Sequence, residues 1–234
     1  FANTKVSDSI ESLTSTLKIP LIAGAITRQG GQLENVSLMY NESGEVVSYY
    51  SKQYLTPFGE YMPLRPIARL ISPYVDDVLD FTVGERVENH VVDGFDLAPV
   101  ICYESIFGEF VSQQCKKGAE LICIITNDGW WRDTPGYKQH NSFASLRAIE
   151  NRRSVVRSAN TGTSSIINQR GEITHKTDWW VPATIQADVN LNKELTFYSI
   201  YGDFMGRSLS FVGVLLLLFT FVKYFKKLVG LYNL

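Results

Sequence analysis

The sequence predicts an α/β domain built on a mixed β-sheet and followed by one long apolar helix. Three observations predict it. Short apolar runs such as residues 21–27, 97–101 and 121–126 alternate with stretches of helical periodicity. The turn signals Gln29-Gly30-Gly31, Asn41-Glu42-Ser43-Gly44 and Gln169-Arg170-Gly171-Glu172 join other runs as hairpins. Residues 209–225 are apolar on every face and hold one charge, Lys223, near their close. Strands separated by helices pair in parallel and hairpins pair antiparallel, so the sheet is expected to be mixed.

In chain order, residues 7–17 read as a helix capped by Ser7 or Asp8, with Ile10, Leu13 and Leu17 on one face. Pro20 stops it. Strands are expected at 21–27, 36–40 and 46–51, the last delivering Lys52 at its end. Residues 64–74 carry Leu64, Ile67, Ala68 and Ile71 at helical spacing. The continuous apolar run 97–101 leads to a helix marked by Ile106, Phe107, Phe110 and Val111. A buried-type strand at 121–126 precedes a helix marked by Phe143, Leu146 and Ile149, then a strand at 154–158. A hairpin of 164–168 with 173–175 and a last strand at 184–189 complete the list.

With 45% hydrophobic and 20% charged residues in 234, there is material for one sizeable core. A formal charge of −2 offers no basic surface for nucleic acid. Cys102, Cys115 and Cys123 are too few and too irregularly spaced for a disulfide framework or a zinc site. His90, His140 and His175 lie far apart, so no metal is expected. The chain begins with Phe1 and lacks the zones of a signal peptide, so it reads as part of something longer.

Cys102 stands where an apolar strand meets Tyr103-Glu104-Ser105 and a helix. Such a junction holds a side chain out on a tight turn while free backbone N–H groups face the same space, which suits a nucleophile. A buried, inert thiol is the commoner fate of a free cysteine. Cys123, inside Ile122-Cys123-Ile124, fits that fate, and Cys115 beside Lys116 and Lys117 is expected to face solvent. Lys52 opens a segment rich in proline and aromatics that holds one carboxylate, Glu60. A lysine near a thiol favours the thiolate and stabilises an oxyanion. Taken singly, Lys52 reads better as a surface lysine at a strand end, and Glu60 and Glu104 as solvated charges or salt-bridge partners.

Together these segments resemble the apolipoprotein N-acyltransferases, a membrane-bound branch of the nitrilase superfamily. The resemblance rests on Tyr50-Ser51-Lys52, Pro57-Phe58-Gly59-Glu60-Tyr61-Met62-Pro63, Ile101-Cys102-Tyr103-Glu104 and Thr126-Asn127-Asp128-Gly129-Trp130-Trp131, in that order. It extends through Arg147-Ala148-Ile149-Glu150 and Arg157-Ser158-Ala159-Asn160-Thr161-Gly162, and covers about residues 20–222. The resemblance implies a nitrilase-like four-layer α-β-β-α sandwich, N-terminally incomplete, at 1–203, and a transmembrane helix with a short cytoplasmic tail at 204–234. It makes Cys102 the nucleophile, Lys52 the oxyanion-stabilising member of a Glu-Lys-Cys triad, Glu60 a second essential carboxylate and Glu104 the support of the elbow. The Tyr103 N–H would complete the oxyanion hole, and Tyr103 and Trp130 would line the acyl pocket. The family's general base, a glutamate on an earlier strand, has no counterpart here, so the chain is expected to be inactive alone.

The implied reaction moves a fatty acyl chain from a membrane phospholipid, through a thioester, to the amine of a diacylated apolipoprotein, with no cofactor. An amide hydrolase or a catalytically incomplete lipid-binding fragment are the alternatives. A helix over 209–225 covers about 25 Å at 1.5 Å per residue, close to a bilayer core. Lys223, Lys226 and Lys227 place its C-terminus in the cytoplasm by the positive-inside rule, with the preceding residues on the outer face of a bacterial inner membrane.

Overall fold

The computed structural model describes residues 5–71, 80–228 and 230. Two compact units emerge, Phe1–Ile200 and Tyr201–Leu234. In the first, helix α1 (Lys5–Leu17) precedes an antiparallel three-stranded sheet of β1 (Leu21–Gln29), β2 (Gln32–Tyr40) and β3 (Val46–Ser51), in that order. A short helix α2 (Arg65–Ile71) leads to a six-stranded sheet, β4 (His90–Val92), β5 (Phe95–Ile101), β6 (Leu121–Thr126), β7 (Ser154–Ala159), β8 (Ser165–Ile167) and β9 (Ile173–Lys176). The expected helix 64–74 is therefore seen to Ile71, and its remainder lies outside the described residues. Helices α3 (Gly108–Lys116) and α4 (Pro135–Asn151) connect β5, β6 and β7, which run parallel, while the other pairs are antiparallel. The sheet is mixed, as the alternation of crossovers and hairpins requires.

The two sheets pack face to face. Along β2, Val36, Leu38 and Tyr40 face α1 and pack with Ile10, while Ser37 faces the other sheet and hydrogen-bonds His90 at 2.9 Å. Both faces of β2 are thus covered, which explains its unbroken burial from Val36 to Tyr40. Gly24 in β1 makes the close approach possible, since a β-carbon there would lie 2.9 Å from Ile125 Cγ2 in β6. On the far side of the large sheet, Phe110, Val111 and Cys115 of α3 and Ala144 and Ala148 of α4 join Ala98, Val100, Ile122, Ile124 and Val155 in one core. The layers run α1, small sheet, large sheet, α3 with α4, which is an α-β-β-α sandwich.

Pro99 sits inside β5 without breaking it. Its carbonyl accepts from Gln114 Nε2 of α3 at 2.6 Å, and β4 pairs only with Phe95 to Leu97, so no neighbour needs the N–H that proline lacks.

Several expectations need correction. Cys115 is buried in the core and does not face solvent; burial pushes its thiol up to about 12, and that of Cys123 likewise to about 12. Leu13 and Leu17 of α1 are exposed, and the helix instead turns Ser7, Ile10 and Thr14 inward. In α4, Leu146 and Ile149 are exposed, while His140, Asn141, Ala144, Arg147, Ala148 and Asn151 form the buried face. Residues 184–189 form no strand, although Ile185, Ala187 and Val189 are half-buried in alternation, because no described neighbour pairs with them.

The second unit contains helix α6 (Phe204–Leu228), entered through α5 (Phe197–Tyr201). Its span Phe204–Lys227 has mean hydropathy 1.9 and is unburied. A long apolar helix that is unburied among the described residues is a membrane-span candidate, where a core helix would be buried. Asp203 caps it, accepting from the Gly206 N–H at 2.9 Å, and Lys226 and Lys227 stand in its last turn.

Candidate active site

β5 and β6 are parallel and in register, with Ile101 opposite Ile125, so the segments that follow them leave the same edge of the sheet. The carboxyl edge of parallel strands is where open α/β sheets commonly bind ligands. Cys102 leaves β5 there with φ of 49°, a left-handed conformation that costs a non-glycine residue about 1–2 kcal/mol. It opens a 3-10 turn, Cys102–Ile106, whose first N–H groups lack partners within the turn. Cys102 and Cys123 are both half-buried residues and Cys115 is buried, but Cys115 and Cys123 have their thiols pushed up by burial. Of the three cysteines, Cys102 alone stands past a strand end, at the carboxyl edge of the parallel strands.

Glu104 is fully buried directly under the elbow. Its Oε2 accepts from the Ile101 N–H at 2.7 Å, and its Oε1 accepts from Tyr50 Oη at 2.6 Å, the Gln53 N–H at 2.7 Å and the Tyr54 N–H at 3.3 Å. One carboxylate therefore ties the end of β5 to the end of β3, and so holds Lys52 beside the cysteine turn. Burial pushes the Glu104 carboxyl above the usual range, and the hydrogen bonds from Tyr50, Ile101 and Gln53 offset part of that.

Lys52 is only 1% exposed and pairs with Glu60, Nζ to Oε2 at 2.6 Å. Glu60 also accepts from the Thr56 N–H at 2.7 Å and from Asn35 Nδ2 at 2.7 Å. Burial raises the Glu60 carboxyl, but the Lys52 charge and these donors outweigh it and leave it below the usual carboxylate range. A buried ammonium is stable only when paired, so Glu60 is what permits a cation at this depth. The structure thus brings Cys102, Lys52, Glu60 and Glu104 to one end of the two sheets.

The remaining expected residues stand around them. Tyr103 is half-buried and meets Phe107 edge-on at 5.2 Å, while Tyr54 lies against Phe107 and Phe110 at 4.6 and 4.9 Å. Trp130 is 81% exposed, in the turn Asp128–Trp131 that follows β6. It lies on the same sheet edge as Cys102 without being packed.

Sequence reasoning missed a polar cluster beneath the elbow, formed by Ser105, Asp128, His140 and Arg157, all buried. Burial raises the Asp128 carboxyl, but hydrogen bonds from His140 and the charge of Arg157 hold it below its ordinary value. Gly162, at φ 119°, lets the loop after β7 close on Asp128, whose Cβ would be 2.6 Å from any β-carbon there. The available signal was Asp128 just past an apolar strand, together with an arginine inside another strand. Among the described residues no group of His, Cys, Asp and Glu could hold a metal ion.

The sequence profile of the carbon-nitrogen hydrolase family matches residues 2–194. Apolipoprotein N-acyltransferases are similar over most of this chain. That of Geobacter metallireducens is 32% identical over 85% of this chain and 39% of its own length. That of Chlorobaculum tepidum is 32% identical over 92% and 45%, and that of Aquifex aeolicus 35% over 72% and 38%. The chain thus spans less than half the length of these relatives. Among solved structures, a carbon-nitrogen hydrolase from Helicobacter pylori superposes with a TM-score of 0.59 at 16% identity, covering 74% of this chain and 63% of that one. An amidase from Nesterenkonia sp. AN1 gives 0.58 at 19% identity, covering 76% and 65%. The α-β-β-α sandwich, the cysteine elbow and the profile match agree: this chain belongs to the carbon-nitrogen hydrolase family, and within it is similar to the apolipoprotein N-acyltransferases.

Proposed function

We propose that residues 1–203 are the catalytic part, and residues 204–234 the membrane anchor, of an enzyme that N-acylates apolipoproteins. The observation that supports this most is a left-handed, half-buried Cys102 at the same sheet edge as the buried Lys52–Glu60 pair, in a chain that also carries an unburied apolar helix. The active-site cysteine named for the amidase of similar fold points the same way.

In this reading the Cys102 thiolate attacks the acyl ester carbon of a membrane phospholipid. The carbonyl oxygen takes up the electron pair and is stabilised by the Lys52 ammonium and the Tyr103 N–H. Collapse breaks the bond to the glycerol oxygen, which takes the proton that the general base removed from the thiol and leaves as a lysophospholipid, and the acyl chain stays as a thioester. The free amine of a diacylglyceryl-cysteine then attacks the thioester, loses a proton and expels the thiolate. Glu60 holds Lys52 in place, Glu104 fixes the elbow, and Tyr103 and Trp130 flank the acyl chain. The oxygens of Glu60 and Glu104 are occupied by hydrogen-bond donors, so the general base is assigned to a glutamate other than these two. The terminal helix spans a bacterial inner membrane, with Lys223, Lys226 and Lys227 in the cytoplasm and the active unit on the outer face.

The test is acyl transfer from a labelled phospholipid to a synthetic diacylated lipopeptide in detergent. The wild-type protein is expected to form triacylated product, and Cys102→Ser and Lys52→Ala none above background. Turnover of small amides with no lipopeptide product would replace this reading with an amide hydrolase.

A further inference from the structure

We propose that His140 is a positioning residue for Cys102, acting on the carbonyl of the cysteine itself through a buried chain that runs Arg157–Asp128–His140. This rests on the reading of Cys102 as the nucleophile. His140 reaches from α4 to the elbow, and its Nε2 lies 3.1 Å from the Cys102 carbonyl oxygen and 3.0 Å from Ser105 Oγ. A carbonyl oxygen can only accept, so in a hydrogen bond with the cysteine's own peptide the ring is the donor, through Nε2. Ser105 Oγ donates to the same oxygen at 2.7 Å. Behind the ring, Nδ1 is 2.9 Å from Asp128 Oδ1. Asp128 is held in turn by Arg157 Nη2 at 2.9 and 2.7 Å and by Thr126 Oγ1 at 3.2 Å. The Arg157 Nη1 donates to the Thr163 carbonyl at 2.5 Å.

The chain has a definite object. Cys102 is the one residue of its turn with positive φ, and a left-handed residue persists only where its surroundings over-determine it. Glu104 fixes the N–H side of the elbow through Ile101, and His140 with Ser105 fixes the carbonyl side. Between them the peptide groups flanking the thiol are held, which aims both the sulfur and the Tyr103 N–H. An ordinary core histidine would need only to satisfy its own ring, whereas this one bonds the nucleophile's backbone.

The variants His140→Gln, His140→Asn and His140→Ala separate the two ends of the ring. The Gln amide nitrogen falls near Nε2 and keeps the donor to Cys102; the Asn nitrogen falls near Nδ1 and keeps only the contact with Asp128. The readouts are kcat for acyl transfer, the rate of Cys102 alkylation by iodoacetamide, and the thermal midpoint, each in detergent. A misaimed nucleophile loses about 10²-fold. The expected result is a kcat and an alkylation rate lowered about that much in Asn and largely restored in Gln, at similar thermal midpoints and unchanged KM. Asn and Gln equal to wild type in both rates, or lowered equally and only in step with the midpoint, overturns the proposal. A Cys102→Ala variant that still transfers acyl chains overturns the functional reading and this inference with it; one that is inactive while His140→Asn is fully active overturns this inference alone.

Discussion

Lys52 and Glu60 show how a single pair sets the chemistry of the candidate site. A 1% exposed ammonium has no water to stabilise it, and its 2.6 Å contact with Glu60 stands in for that water. Glu60→Gln is therefore expected to lower kcat by about 10²-fold or more, the usual cost of a misplaced oxyanion donor, in the same lipopeptide assay. Because the folded Glu60 and Asp128 carboxyls lie below their ordinary values of 4.5 and 3.8, their contribution to stability is complete above those values. It is lost as pH falls through the lowered ones. At this scale the sequence was partly legible. Cys102 and Lys52 sit at strand ends, where apolar runs stop, and that is visible in one dimension. Asp128, His140 and Arg157 belong to three separate elements, and only the β6–β7 pairing and the fold of α4 onto the elbow bring them together.

Elements inherit their roles from the interface between the two sheets. His90 of β4 is buried there between Ser37 and Ser48, and burial lowers it to about 4. In the unfolded chain it titrates near 6.5, so the stability it confers is full above that pH and is lost as pH falls toward 4. Glu104, raised in the folded state, acts with the opposite sign, so the slope is read as a difference between variants. His90→Gln is expected to flatten the fall in the urea midpoint between pH 7 and pH 5; an unchanged slope contradicts it. Gly24→Ala places a β-carbon 2.9 Å from the branched Ile125 side chain and is expected to cost about 1–3 kcal/mol by urea denaturation. Most strand positions were legible because alternating or continuous apolar runs are local signals, but the run 184–189 forms no strand and the short β4 was not expected. Helix faces were not: α1 buries Ser7 and Thr14, and α4 buries His140, Asn141, Arg147 and Asn151, all bonded to partners that periodicity does not count.

The whole molecule joins a folded α/β unit to a helix that no described protein surface covers. Residue 200 is the end of the first unit, so deleting residues 204–234 is expected to leave the thermal midpoint of that unit nearly unchanged. The same deletion is expected to abolish acyl transfer from phospholipid in vesicles. A truncated protein that works on vesicle lipid at the full rate contradicts the role given to the helix. The fold class was legible because crossovers, hairpins and a uniformly apolar segment each leave their own pattern. Stacking of the two sheets was legible only through the family resemblance, since it depends on contacts such as Gly24 with Ile125 that lie far apart in sequence. The central claim is that Cys102 carries the acyl chain, and intact-mass analysis tests it most directly. Purified protein is incubated with phospholipid and no acceptor, then treated with hydroxylamine. The account predicts a mass increase of one fatty acyl group on the peptide containing Cys102, removed by hydroxylamine and absent in Cys102→Ala. A folded, active protein with no such adduct, or with the adduct on another residue, contradicts it.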